Sequence, residues 1–460
     1  MLRRQLLTTG TVGMCGVVAS ACGATAQQTA APTTAARAQP TALSRPAGGK
    51  LYFLDHSLQK AVQDVTVKRL ADFEKEFPGT KIEHDDATPD NSAKFPVLVA
   101  AGIFPDVSVT HTAFVDQYPF FVDLTPRLAR DGQVKAADYF PTVLNAFKVP
   151  VNGTPRQIGL PREAHATILY YNRNAAVAAG AKEPTKDWSH LDFVEFGLKM
   201  RRWNNDPATA TWGITNGTGL GGASSGLTTF WSHGAEFFSE DGKQCLIDKG
   251  EAREAFQYLL DLVVKHHIAP SPSEITASGL SGSVQAQFNT GRYATYACNQ
   301  NCSPITSGDQ MSFEWDFMAV PQVPGRKRGT RLAANAYGLL AQGQNKNPDL
   351  GWELVKYLVG EQGSSQLVQG STLYMSHKKA SDQWVTAVNR LGGAKNGKVV
   401  ADVLETQARR EQTLIKGWGK AMAPIHREWT AVQDGKQSIG EMISIAKAEA
   451  EAALKAEQAT

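Results

Sequence analysis

The sequence predicts an α/β fold in two lobes, and three observations carry that expectation. Short apolar runs alternate with segments of helical period along most of the chain, the pattern of strands joined through crossover helices. About 410 residues follow the first 49, more than one hydrophobic core serves, so two domains or lobes are expected. Apolar residues make up 42% of the chain, enough to fold both.

Leu51, Tyr52, Phe53 and Leu54 suit a buried first strand. Val62, Val65, Leu70, Phe73 and Phe77 then recur at roughly helical spacing until Pro78 and Gly79 stop the helix. Residues 81–84 predict a second strand, 91–101 a second helix and 106–109 a third strand. After Gly159, Leu160 and Pro161 the pattern resumes with a strand over 167–171, a short helix over 175–180 closed by Gly180, a longer helix over 190–203 and a strand over 211–215. Ala255, Leu259, Leu262 and Val263 share one face of a helix over 251–266, and 317–320 reads as a buried strand. Asn347, Pro348 and Asp349 start a helix, with an amide at the cap, proline at the first helical position and an acid in the first turn. The Ala-, Glu- and Lys-rich stretch 439–457 predicts a terminal helix.

The first 21 residues read as an export signal. Arg3 and Arg4 precede a modestly apolar stretch over 6–21, and Arg3-Arg4-Gln5-Leu6-Leu7 has the paired arginines of a twin-arginine signal. A spanning helix needs about 20 predominantly apolar residues. Thr8, Thr9, Gly10, Thr11, Gly13 and Gly16 interrupt this one. Ala19-Ser20-Ala21-Cys22 is similar to a lipobox, which makes Cys22 a candidate lipidation site; secretion of a soluble product cut near Ala21 is the alternative. Residues 22–49, rich in Ala, Thr, Gln and Pro, predict a lipid-anchored flexible tether.

Removing residues 1–21 takes away only Arg3 and Arg4, leaving 45 basic against 44 acidic residues. Such neutrality argues against a nucleic-acid partner. Cys298 and Cys302 can close a small loop in an oxidising compartment or remain thiols, with Cys245 left over. Three scattered cysteines lack zinc-site spacing, so no metal is expected.

Gly217-Thr218-Gly219-Leu220-Gly221-Gly222 matches a dinucleotide fingerprint, and Gly222-Ala223-Ser224-Ser225-Gly226 a nucleophile elbow. The run sits mid-chain among small residues, and no buried strand directly precedes Ser224, so a loop is the better reading. His266 and His267 are adjacent on a helix, about 100° apart, and read as solvated polar residues. No catalytic residue and no cofactor emerge. Carboxylate pairs are set in space, which leaves a secreted carbohydrate hydrolase as the alternative.

Sugars present hydroxyls to polar side chains and a flat C–H face to aromatic rings. His56, His111, Arg162, His165, Trp231, Tyr296, Asn299, Tyr337 and Trp418, near strand ends and loops, are candidates for both roles.

In order, several segments resemble the carbohydrate-type extracellular solute-binding proteins of ABC importers, the group that includes maltodextrin-binding protein. They are Ala101-Gly102-Ile103-Phe104-Pro105-Asp106-Val107, Gly159-Leu160-Pro161-Arg162 followed by Leu169-Tyr170-Tyr171-Asn172, and Ala179-Gly180 with Pro184-Thr185-Lys186-Asp187-Trp188. Phe230-Trp231-Ser232-His233-Gly234-Ala235, Phe288-Asn289-Thr290-Gly291-Arg292-Tyr293-Ala294 and Trp315-Asp316-Phe317-Met318-Ala319-Val320-Pro321 follow. The resemblance implies a periplasmic-binding-protein-like fold: two α/β lobes, ligand in the cleft between them, and three crossovers near 160–162, 332–338 and just past Met375. The lobes would be 50–160 with 332–380 and 161–331 with 381–460. It implies a monomer outside the cytoplasm that delivers a small solute, a sugar or else a glycerol phosphate, to ABC permease subunits. Ligand contacts would come from Asp55, His56 and Ser57 after the first strand, His111 after the third, Arg162, Glu163 and His165 after the first crossover, Tyr296 and Asn299, and Trp418 as the stacking ring.

Overall fold

The computed structural model describes residues 46–459 apart from 58, 88–90, 215–218, 221–224, 281–283, 301, 303–310, 372 and 391–394. The export signal, Cys22, most of the tether and most of the glycine run with Ser224 lie outside the described residues.

Strands β1 (Lys50–Asp55) and β2 (Lys81–Asp86) pair in parallel through the helix Lys60–Glu76, and β3 (Val107–His111) pairs in parallel with the other edge of β1. A hairpin follows, β4 (Lys148–Val151) and β5 (Thr154–Gln157), turning on Asn152 and Gly153, both at positive φ. That pair of left-handed residues matches the strand twist of a two-residue hairpin. The 13-residue β6 (Leu160–Asn172) is the spine of the sheet. Its first part pairs with β9 (Thr330–Leu339), and its second with β7 (Thr295–Asn299) and β8 (Trp315–Met318), all antiparallel. β3 also pairs antiparallel with β9, and β10 (Ala408–Arg410) runs parallel beside it. The order is β2-β1-β3-β9-β6-β7, with β10 on β9 and β8 on β6.

Side chains alternate across a strand, so β6 serves two cores at once. Ala164, Ala166, Ile168 and Tyr170 enter a central core with Phe288, Trp315, Phe317 and Trp384, while Leu169 and Tyr171 enter another with Trp188, Phe230, Phe256 and Trp429. A third core packs Leu51, Phe53, Val107, Val109 and Leu339 against the helices Lys60–Glu76 and Pro348–Val359. Asn347 caps the latter helix by accepting from the Leu350 amide. Cys298 and Cys302 are joined by a disulfide, and Cys245 is a buried free thiol.

The structure departs from the sequence reading in five places. The strands joined through crossover helices predicted parallel pairing throughout, but β9 returns antiparallel to β3 and β6, and beyond β3 only the short β10 pairs in parallel, with β9, among the described residues. Instead of a strand over 211–215, Thr211 and Trp212 make isolated bridges to Arg202 and Tyr293. The reason is Gly213, which lies so close to the Gly197 backbone that an added Cβ would sit 2.3 Å from the Gly197 oxygen. The helix His190–Met200 ends before 203 because Arg201 turns extended, and Ser225 and Gly226 open the helix Ser225–Ser232 rather than continue a loop. His266 and His267 lie just past the helix Gly250–Val264, and His267 is only partly solvated: its Nε2 lies 2.7 Å from Glu274 Oε1 and its ring abuts Trp203 and Trp212.

Candidate ligand-binding site

The parallel strands β1 and β3 end on the same edge, which brings Asp55, His56 and Ser57 beside His111. Carboxyl ends of parallel strands are where open α/β sheets bind ligands. β6 supplies the facing residues through an irregularity. Its register against β9 shifts between Pro161 and Ala164, so Arg162 and Glu163 bulge out of the ladder. Bulges re-aim side chains, and here they turn two charges toward the ends of β1 and β3.

The charges lock into one network. Arg162 Nη1 donates to Asp55 Oδ1 and to the Tyr337 hydroxyl, each at 2.7 Å, and Nη2 donates to the His56 carbonyl at 3.0 Å and to Glu163 Oε1 at 2.9 Å. Arg162 Nε and the Asn335 amide also donate to Glu163. Asp55 further accepts from the Tyr337 hydroxyl at 3.0 Å and the His56 amide at 2.7 Å. Burial of Arg162 disfavours its charge, but Glu163, Tyr337 and Asp55 hold the guanidinium firmly charged. Burial likewise pushes Glu163 up, yet Arg162 and the bond to His165 outweigh it and hold the carboxyl well below its usual range.

Above this network lies a cavity of about 520 Å³, within the span of small-molecule sites. His56, Ser57, His111, Arg162, Glu163, His165 and Asn299 line it. Asp55 and Tyr337 sit one layer below, fully buried, and shape the lining through Arg162. Three expected contacts stand elsewhere. Trp231 is buried in the second core beneath the Arg409 guanidinium, 4.5 Å from its ring, and Tyr296 is buried between Tyr170 and Phe288. Trp418 opens the helix Trp418–Gln433, half-buried against the second core.

Sequence reasoning missed Asn335, Arg331, Gln285 and the apolar lining from Phe114, Val62 and Leu373. The signal for Asn335 was present: it is an amide set among alanines in a buried strand, which needs a partner to be tolerated. Two of the cavity histidines, His56 and His111, are pushed toward the neutral form. Burial and then Arg162 lower the pKa of His56; burial, Arg331 and His165 push His111 down to about 3. Arg331 is itself 3.2 Å from Glu411. The site therefore offers hydrogen-bond donors and acceptors, one carboxylate and a small apolar wall, with its cations already paired.

The sequence family described as bacterial extracellular solute-binding protein matches residues 55–364. The chain belongs to that family. Its structure is similar to the cyclic alpha-maltosyl-1,6-maltose binding protein from Arthrobacter globiformis, at a TM-score of 0.71 and 15% identity over 89% of this chain and all of the other. An ABC substrate-binding protein of Listeria monocytogenes, solved with cycloalternan, aligns at 0.69 and 17% over 88% of this chain and 99% of its own. Mycobacterium tuberculosis UgpB, solved with glycerophosphocholine, aligns at 0.68 and 14% over 89% and 100%. This solute-binding protein thus has the two-lobed periplasmic-binding-protein-like α/β fold expected from its sequence, and its family places it outside the cytoplasm.

Proposed function

We propose that this protein captures a neutral sugar or short oligosaccharide and delivers it to the permease of an ABC importer, without turning it over. The observation that carries the reading is the paired state of the cavity's cations: Arg162 is held by Asp55 and Glu163, and Arg331 stands against Glu411. A phosphate needs unpaired cationic donors, whereas hydroxyl groups suit a carboxylate, amides and neutral imidazoles. The same pairing opposes the hydrolase alternative. A general acid needs a raised carboxyl pKa, and Glu163 is held the other way.

In this reading the lobes are 50–160 with 332–380 and 161–331 with 381–460, and Trp418 is an outer contact that meets the sugar when they close. The mature protein is a monomer tethered through a diacylglyceryl group on Cys22. A thermal-shift series with maltose, a cyclic tetrasaccharide, glycerol 3-phosphate and glycerophosphocholine tests the ligand class. A sugar at a hundred times its dissociation constant should stabilise the fold by about 2.7 kcal/mol. Stabilisation by the phosphate compounds alone would overturn the sugar assignment.

A further inference from the structure

One edge of β6 changes partners beside the ligand cavity. The Ser376 amide donates to the Arg162 carbonyl at 2.9 Å and the Ala164 amide to the Tyr374 carbonyl at 3.2 Å, so the segment around 374–376 covers the start of the edge. From Thr167 onward the edge belongs to β7, whose last residue, Asn299, stands opposite Thr167. Between the two partners remain the Ala164 carbonyl and the Ala166 amide. Both are taken by one side chain: Ala166 N donates to Gln300 Oε1 at 3.0 Å, and Gln300 Nε2 donates to Ala164 O. Gln300 is fully buried, and its amide continues the ladder where β7 has stopped.

Glu163 and His165, which line the cavity, alternate with Ala164 and Ala166, and Asn299, which also lines it from the end of the adjacent strand β7, precedes Gln300. The disulfide between Cys298 and Cys302 brackets the glutamine, and the Tyr170 hydroxyl donates to the Asn299 carbonyl at 3.1 Å and the Cys302 carbonyl at 3.3 Å. We infer that Gln300 is a positioning residue of the ligand site, stitching the wall that carries Asn299 to the strand that carries Glu163 and His165. The inference rests on the reading that this cavity takes the solute.

The test is Gln300→Glu. A protonated carboxyl can accept from Ala166 N and donate to Ala164 O, whereas a carboxylate cannot donate and faces the carbonyl oxygen with like charge. Burial and that carbonyl raise the pKa of such a group. Hydrogen–deuterium exchange of peptides spanning 160–172 and 295–302, each compared with wild type at the same pH, should show near-wild-type protection at pH 5 and about tenfold faster exchange at pH 8. Glu163, His165, His56, His111, Arg162, Arg331 and Tyr374 titrate or carry charge in both proteins, so the comparison cancels them. Gln300→Ala should lose protection at both pH values; if it fails to fold, Gln300→Glu carries the test alone. With maltose as the probe, Gln300→Glu should bind about tenfold more weakly at pH 8 than at pH 5, relative to wild type. Equal protection at both pH values, loss of protection that spreads to 348–359, or pH-independent maltose affinity overturns the inference. Absence of maltose binding in wild type counts against the sugar reading, while the exchange signature is read without any sugar.

Discussion

Arg162 donates to Asp55 at 2.7 Å across 107 positions of sequence, and neither side chain is more than 3% exposed. Removing one member of such a buried pair leaves the other charge uncompensated, at a cost of about 3 to 5 kcal/mol. Asp55→Asn should therefore lower the unfolding free energy read from urea titration by an amount in that range, tempered by the second carboxylate at Glu163. A loss under about 1 kcal/mol would mean that Glu163 alone neutralises the guanidinium.

His111 gives the protein a pH dependence of definite sign. Its folded pKa, pushed down to about 3 by burial and then Arg331 and His165, lies below the unfolded value of 6.5. The unfolded chain takes up a proton that the folded chain refuses, so this stability is complete above about pH 6.5 and is lost as pH falls toward 3. His111→Gln should flatten the melting-temperature profile between about pH 6.5 and 4. An unchanged slope would assign the loss to the buried histidines His190, His233 and His377.

Asn335 bonds Glu163 from the facing strand, so its removal should disturb recognition more than folding. Asn335→Ala is expected to weaken the best sugar of the thermal-shift series by about tenfold, the equivalent of one hydrogen bond to a charged group. Asn335→Asp should be worse, because it sets a second carboxylate against Glu163. Calorimetric titration of both variants reads this ordering; an aspartate variant that binds like wild type removes Asn335 from the site.

Trp418 tests the outer reach of the cleft. Its ring is half-buried, and Trp418→Ala should lower sugar affinity while the ligand-free melting temperature stays near wild type. A core tryptophan truncated to alanine costs about 3 to 5 kcal/mol. A drop of that size in the free protein would give the ring to the second core and take it from the ligand.

Lipidation of Cys22 is read by detergent partitioning. Wild type should enter the detergent phase and Cys22→Ala the aqueous phase. Equal aqueous partitioning of both leaves secretion without an anchor.

The elements that sequence made legible are those whose signal is local. The periodicity of Val62, Leu70 and Phe73, the stop at Pro78 and Gly79, and the cap at Asn347 each act within a few residues, and each lies in the structure where the pattern put it. His56 and His111 were legible as polar residues at strand ends, where a parallel sheet opens, whereas Asp55 was reached only through the family resemblance and lies buried one layer below the cavity. Residues 211–215 misled because a β-prone Thr-Trp pair is overruled by the close approach of Gly213 to Gly197. The hairpin at Asn152 and Gly153 carried its usual turn signal and was passed over. The partnership of Glu163 with Asn335, 172 positions away, depends on a register shift in β6 that no local pattern encodes. The same holds for which aromatic rings reach the cavity.

With Cys298 and Cys302 joined and Cys245 fully enclosed, the described part of the protein presents no reactive thiol to solvent. Once the segment carrying Cys15 is removed and Cys22 is acylated or replaced, a single cysteine introduced at Phe114 on the cavity wall would be the sole accessible thiol among the described residues for an environment-sensitive dye. The protein is thereby ready-made as an optical gauge, its fluorescence reporting solute concentration in a medium where no coupled enzyme or radiolabel is needed.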